Sequence, residues 1–215
     1  APSEEPEDTE AAEAVIKGYH VRIGEIIMEQ KLMQLGDFRK LYDAHMGNHF
    51  PPDELKPFYI MERAVKEGKY FPYGYYEDGE LEAYTCLIKT GDFFLLDYFA
   101  VMEQGRGKGT GSRILDILKG HLTDRESVLL EVEEPLAEDE RELDLQKRRI
   151  QFYLRNGARY TELKARVFGV PYRILSFGRE RMREKAQEAM EVLYHSILND
   201  EMYRRNVCFA LDKQN

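Results

Sequence analysis

The residues best suited to chemistry gather in one turn, Gln104-Gly-Arg-Gly-Lys-Gly-Thr-Gly111, between an apolar run and an amphipathic one. Gly105, Gly107, Gly109 and Gly111 stand at alternate positions, so no side chain blocks an anion from reaching the backbone N–H groups. A helix starting there adds unpaired N–H groups and a partial positive charge, worth ~0.3–1 kcal/mol at exposed sites and up to ~2 when partly buried. Arg106 and Lys108 bring formal charge to the same place. The turn therefore reads as a cradle for a pyrophosphate. It is not the Walker loop, in which Lys precedes Ser or Thr, because Lys108 precedes Gly109. It is not the dinucleotide fingerprint either: the third glycine position falls on Thr110 counted from Gly105, and on Ser112 counted from Gly107. Arg/Gln-x-x-Gly-x-Gly/Ala does fit, from Arg106 to Gly111 and again from Gln104 to Gly109. His45 and His49, four apart, could face a metal together, but no third ligand is near and Gly47-Asn48 is expected to break the helix. No metal is expected.

Such a cradle needs a strand before it and a helix after it. Residues 93–101 (FFLLDYFAV) are almost continuously apolar, as in a strand buried on both faces at the centre of a sheet. In residues 112–122, Ile114, Leu115, Ile117, Leu118 and Leu122 recur at helical spacing, and residues 128–132 read as a further buried strand. Upstream lie a strand at 20–27 and a helix at 33–45, with Leu35, Phe38, Leu41 and Tyr42 on one face. Pro51-Pro52 stops that helix, and Asp53 is placed to cap a second one ending near Gly68. Strands 70–77 and 81–89 flank Asp78-Gly79, a strong hairpin signal. Downstream, acid-rich residues 133–144 read as an exposed loop, and 145–156 as a helix ended by Gly157. Strands at 159–167 and 170–177 follow, then a long helix at 180–198 carrying Met182, Ala186, Ala189, Met190, Val192, Leu193 and Ile197. This order predicts an α+β fold, a mixed central sheet of six to seven strands with helices on both faces.

The chain has 215 residues, 43% of them apolar, enough for a core without staples. A net charge of −9 argues against a nucleic-acid partner. Six acids and no Lys or Arg fall in residues 1–13, which leaves about −3 for residues 14–215, and 1–17 reads as a solvated acidic tail. No apolar run is long enough to span a membrane, and no secretory signal opens the chain. Cys86 and Cys208 sit among apolar residues and read as buried free thiols, which points to a reducing, cytoplasmic setting.

The glycine turn resembles the acetyl-CoA signature of the GNAT N-acetyltransferase family. Leu130-Glu-Val132 is similar to that family's next strand. Arg148-Arg-Ile-Gln-Phe-Tyr153-Leu-Arg-Asn-Gly157 is similar to its late helix, with Phe-Tyr followed four residues on by Gly. The likeness covers residues 18–178. Residues 179–215 form a C-terminal helix and tail beyond it, which pack on the domain or serve a homodimer interface. The resemblance implies direct acetyl transfer from acetyl-CoA to a primary amine of a small molecule or a protein. It implies that the cofactor lies against Phe99, Ala100, Val101, Gln104, Gly105, Arg106, Gly107, Lys108, Gly109, Thr110 and Gly111, in a slot between two splayed strands. Tyr153 matches the family's proton donor to the departing thiolate; a phenol of pKa near 10 is still protonated at neutral pH. The amine needs a proton acceptor, and Glu131 and Glu133, two apart on a strand, are the candidates. With Asp97 these acids would suit a cationic acceptor. One or two of the Tyr70–Tyr76 rings would line its pocket. Gln146 stands where the family commonly has Asn. The competing reading is a catalytically silent CoA-binding or assembly module with the same fold.

Overall fold

The computed structural model describes residues 20–23, 26–178 and 182–211. Nine strands among them form one sheet: β1 (His20–Ile23), β2 (Ile26–Leu32), β3 (Tyr70–Glu77), β4 (Glu80–Thr90), β5 (Phe93–Val101), β6 (Ser127–Glu133), β7 (Arg159–Val167), β8 (Val170–Phe177) and β9 (Val207–Leu211). Their spatial order is β1-β2-β3-β4-β5-β6-β8-β7-β9. β5, the continuously apolar run, is the middle strand. Its pairing with β6 is parallel and every other pairing is antiparallel. A parallel neighbour needs a crossover, and α3 (Thr110–Gly120) supplies it.

Alternation along the central strands divides the core. Leu95 and Leu129 face one side, where they meet α1 (Leu35–Leu41), α2 (Phe58–Lys66) and α5 (Met182–Ile197) through Phe38, Met61, Ala189 and Leu193. Leu96, Val128 and Leu130 face the other, against Ile114, Leu115 and Leu118 of α3 and Ile150 of α4 (Glu140–Arg155). Each such fully buried side chain contributes roughly 1.5–3 kcal/mol. The expected mixed sheet with helices on both faces is present, and it is longer than expected at both edges. Residues 20–23 and 26–32 form two antiparallel strands, β1 and β2, rather than one strand ending at 27. β2 looks polar yet turns Met28 and Gln30 inward, Gln30 Nε2 donating to the Tyr75 hydroxyl at 3.3 Å. At the far edge α6 (Asp200–Asn206) leads into β9, which pairs with β7.

Local expectations fail in four places. α1 does not break at Gly47-Asn48: it continues through a π-helical segment, Tyr42–Met46, and a last turn, Gly47–His49, with Gly47 in a right-handed conformation. Asp53 caps nothing; residues 51–55 form a turn in which Leu55 N donates to Pro51 O, and α2 begins only after Pro57. The acid-rich stretch is helical from Glu140, because Asp139 accepts hydrogen bonds from Arg141 N and Glu142 N at its start. Cys86 is buried, but Cys208 is exposed because it lies on edge strand β9. α5 buries Ala186, Ala189, Met190, Leu193, Tyr194 and Ile197 on the sheet and leaves Val192 outward. Among the described residues no helix is long and apolar enough to cross a membrane.

Candidate functional site

Two irregularities in β5 open the site. Opposite β4, Cys86 pairs with Tyr98 and Leu87 with Leu96, leaving Asp97 as an extra residue, a bulge that bends the strand. Opposite β6, pairing stops at Leu96↔Leu130, although β5 runs on to Val101 and β6 to Glu133. The two strands part beyond that point. Two cavities lie at the gap. One, about 470 Å³, is walled by the glycine turn, Phe152 and Arg155; the other, about 270 Å³, by residues from His49 to Lys56, with Glu131, Glu133 and Tyr172. Phe99, Val101, Arg106, Arg149 and Tyr153 line both, so the cavities meet there.

The glycine turn fits an anion on its geometry. Gly107 and Gly109 both have φ of +77°, which L residues rarely adopt, and a Cβ on either would point into open space. Gly109 precedes α3 and accepts from Arg113 N at 3.1 Å. The N–H groups of residues 107–112 donate to no other group among the described residues. Gly105 is needed for a different reason: a Cβ there would lie 2.6 Å from Glu82 Oε2 and 3.1 Å from Glu82 O. Of the expected cofactor residues, Phe99, Val101, Gly105, Arg106, Gly107, Gly109, Thr110 and Gly111 line the larger cavity, and Ala100 lines the smaller. Gln104 instead donates to Leu81 O at 2.8 Å, tying the turn to β4, and Lys108 is exposed outside the lining. Ser112 and Arg155 join the lining without having been anticipated.

Tyr153 is placed by the end of α4. Gly157 adopts φ of +94°, and Ala158 N closes the helix on Tyr153 O at 3.0 Å. The neighbouring Phe152 packs so close to the turn that a Cβ on Gly111 would lie 3.1 Å from its ring. The Gly111 and Phe-Tyr motifs are thus two halves of one contact. Burial pushes the Tyr153 phenol up to about 12, so it holds its proton at neutral pH.

The two candidate carboxylates differ. Glu133 accepts from Arg149 Nη1 at 2.6 Å and from Gln146 Nε2 at 3.2 Å, and Gln146 also receives Ala137 N, clipping the loop after β6. Glu131 accepts from the Tyr194 hydroxyl at 2.7 and 2.8 Å. Burial pushes it up to about 7 against the downward pull of Lys56 and Tyr194. Asp97 does not face the cavity as a free acid. Its side chain is fully buried, takes Lys56 Nζ at 2.6 Å and accepts from the Tyr70 hydroxyl at 2.8 Å. Burial lowers the Lys56 ammonium, but Asp97 and Glu131 outweigh it and leave the group above its ordinary value. Glu54, on the wall of the smaller cavity, is pushed up to about 7 by burial, with Glu133 adding to the effect.

His49 points at the Tyr84 hydroxyl, 2.8 Å from Nδ1, and burial with Arg106 lowers its pKa. Among the described residues no group of three or more His, Cys, Asp or Glu could hold a metal. None of the rings from Tyr70 to Tyr76 lines either cavity; Tyr70 reaches the site only through Asp97. Lys56, Arg149, Tyr172 and Tyr194 were not anticipated. Tyr194 alone left a trace in sequence, a hydroxyl on the apolar stripe of α5.

No family model matches the chain. It is 26% identical over 151 residues to a Bacillus subtilis (strain 168) protein named "Putative acetyltransferase YjbC", covering 70% of this chain and 68% of that one. Among solved structures it resembles a Bacteroides thetaiotaomicron protein described as a "Putative acetyltransferase from GNAT family", with a TM-score of 0.63 and 20% identity. That likeness covers 77% of this chain and 95% of the other. A B. subtilis acetyltransferase in complex with CoA superposes with a TM-score of 0.51 at 15% identity, over 72% and 99% of the two chains. The chain has the GNAT acetyltransferase fold.

Proposed function

We propose that this GNAT-fold chain is an acetyl-CoA-dependent N-acetyltransferase that transfers the acetyl group directly to a primary amine. The observation that carries the proposal is the meeting of the two cavities at Tyr153, where β5 and β6 part. The larger cavity, with six undonated N–H groups at residues 107–112 and Arg106 beside them, suits a pyrophosphate. Acetyl-CoA when bound supplies the acetyl group as a thioester. The relatives named as acetyltransferases, one of them a complex with CoA, support the same assignment.

In the smaller cavity Glu131 accepts a proton from the acceptor's ammonium, since only the free amine can attack. Its raised value places it near half ionisation at neutral pH, where a general base is most effective. Tyr153 gives a proton to the departing sulfur and is recharged from water, while Glu131 discharges to water; the second proton, shed by the nitrogen as the amide forms, also leaves to water, so one proton is released per turnover. Glu133, held by Arg149 and Gln146, shapes the cavity rather than moving protons. Asp53, Glu54 and Glu131 make the wall acidic once Asp97–Lys56 and Glu133–Arg149 are paired, which suits a cationic acceptor.

The test is thiol release from acetyl-CoA by the purified chain across polyamines, aminoglycosides, amino acids and lysine peptides. One amine that accelerates release and appears acetylated by mass is expected. No release with any of them, while CoA still binds, would overturn the enzyme and leave a CoA-binding module.

A further inference from the structure

We propose that Tyr194, carried into the site by α5, is a positioning residue that holds Glu131 ready to accept the amine's proton. The inference rests on the assignment of Glu131 as base. Tyr194 is fully buried, and its hydroxyl is shared between both oxygens of Glu131, at 2.7 and 2.8 Å. A donor spanning both oxygens fixes the plane of the carboxylate and favours its anionic form.

The surroundings give no other neutral donor that role. The groups facing Glu131 are Lys56 from the segment before α2, Asp97 and Tyr98 from β5, Tyr172 from β8 and Tyr194 from α5. Lys56 favours the carboxylate by charge, but its ammonium is engaged by Asp97. Tyr98 donates to Glu54 O at 2.9 Å. Asp97 opposes ionisation. Tyr194 is the one neighbour bonded to Glu131 itself among the described residues.

α5 lies beyond residues 18–178, over which the sequence motifs resemble the acetyltransferase family. The helix is anchored where the function needs it. Ala189, Met190, Leu193 and Ile197 bury against the sheet, and Arg63 Nη2 of α2 donates to Ile197 O at 2.5 Å. The ring of Tyr194 also stands 5.6 Å from Lys56 Nζ, which keeps that ammonium beside the carboxylate.

The experiment compares the full chain with Tyr194→Phe and Glu131→Gln. Glutamate carboxyl carbons are labelled with ¹³C and followed against pH by NMR, and the Glu131 signal is the one missing in Glu131→Gln. In Tyr194→Phe the Glu131 midpoint should rise by about one unit or more, the size expected when a hydrogen bond to a charged group is removed. The acid limb of kcat/KM, read by thiol release with the best amine of the panel, should move the same way, the high-pH plateau being largely kept. Loss of packing alone would lower the plateau and leave the midpoint in place. An unmoved midpoint together with a dead Glu131→Gln overturns the role of Tyr194 and spares the base. Wild-type turnover in Glu131→Gln overturns the base, and the proposal with it.

Discussion

Replacing Lys56 by Met tests how the bulge at Asp97 is held. The ion pair is 2.6 Å long, and its side chains are 6% and 0% exposed, so water does not screen it. Removing one partner of a buried pair leaves an uncompensated charge and typically costs about 3–5 kcal/mol. At roughly 2–4 °C per kcal/mol for a chain of this size, the melting temperature should fall by ~6–20 °C. Lys56→Met/Asp97→Leu removes both charges at once. It should recover most of the loss, since apolar replacement of a buried pair is often neutral. Tyr70 would then lose one acceptor but keep Met61 Sδ at 3.3 Å. The assay is urea unfolding by circular dichroism of both single variants and the double, read as a double-mutant cycle. A Lys56→Met protein as stable as the wild type would refute the reasoning. So would a double variant no better than the single one, since the cost would then lie in packing and not in charge.

Tyr153→Phe should lower kcat by roughly 10²–10⁴-fold with CoA affinity retained, measured by thiol release and calorimetry; an unchanged rate removes Tyr153 from the chemistry. Gly109→Ala must adopt φ of +77°, so it should lose ~1–2 kcal/mol of stability and bind CoA more weakly, seen in melting curves with and without CoA. Stability should depend on pH through Glu54 and Glu131. Both hold protons up to about 7 when folded against an ordinary 4.5, so the folded state binds more protons in that window and loses stability as pH rises through it. Melting temperature should therefore climb from pH 8 to pH 6, and the slope should flatten in Glu54→Gln/Glu131→Gln.

What could be read from the sequence was local. The apolar run at 93–101, the Asp78-Gly79 hairpin and the Gly157 helix stop each carry their signal within a few neighbours, and β5, β7 and β8 begin and end where expected. β2 escaped notice because its inward Gln30 is satisfied by Tyr75, 45 residues away. The same holds at the site. The glycine turn was visible because its spacing is chemical. Lys56 meets Asp97 across 41 residues and Tyr194 meets Glu131 across 63, and no periodicity encodes such pairs. Asp97 looked like an accessible acid because alternation assumes an unbroken strand, and the bulge cancels that assumption.

The 63 residues between Glu131 and Tyr194 also set a clock. At a synthesis rate of about 5–20 residues per second, Tyr194 is added roughly 3–13 seconds after Glu131. Until α5 is made, nothing is available to cover the face that Ala189, Met190 and Leu193 bury in the finished fold. In that interval Glu131 also lacks the Tyr194 hydroxyl as its donor. Both defects end in the same event, the docking of one helix.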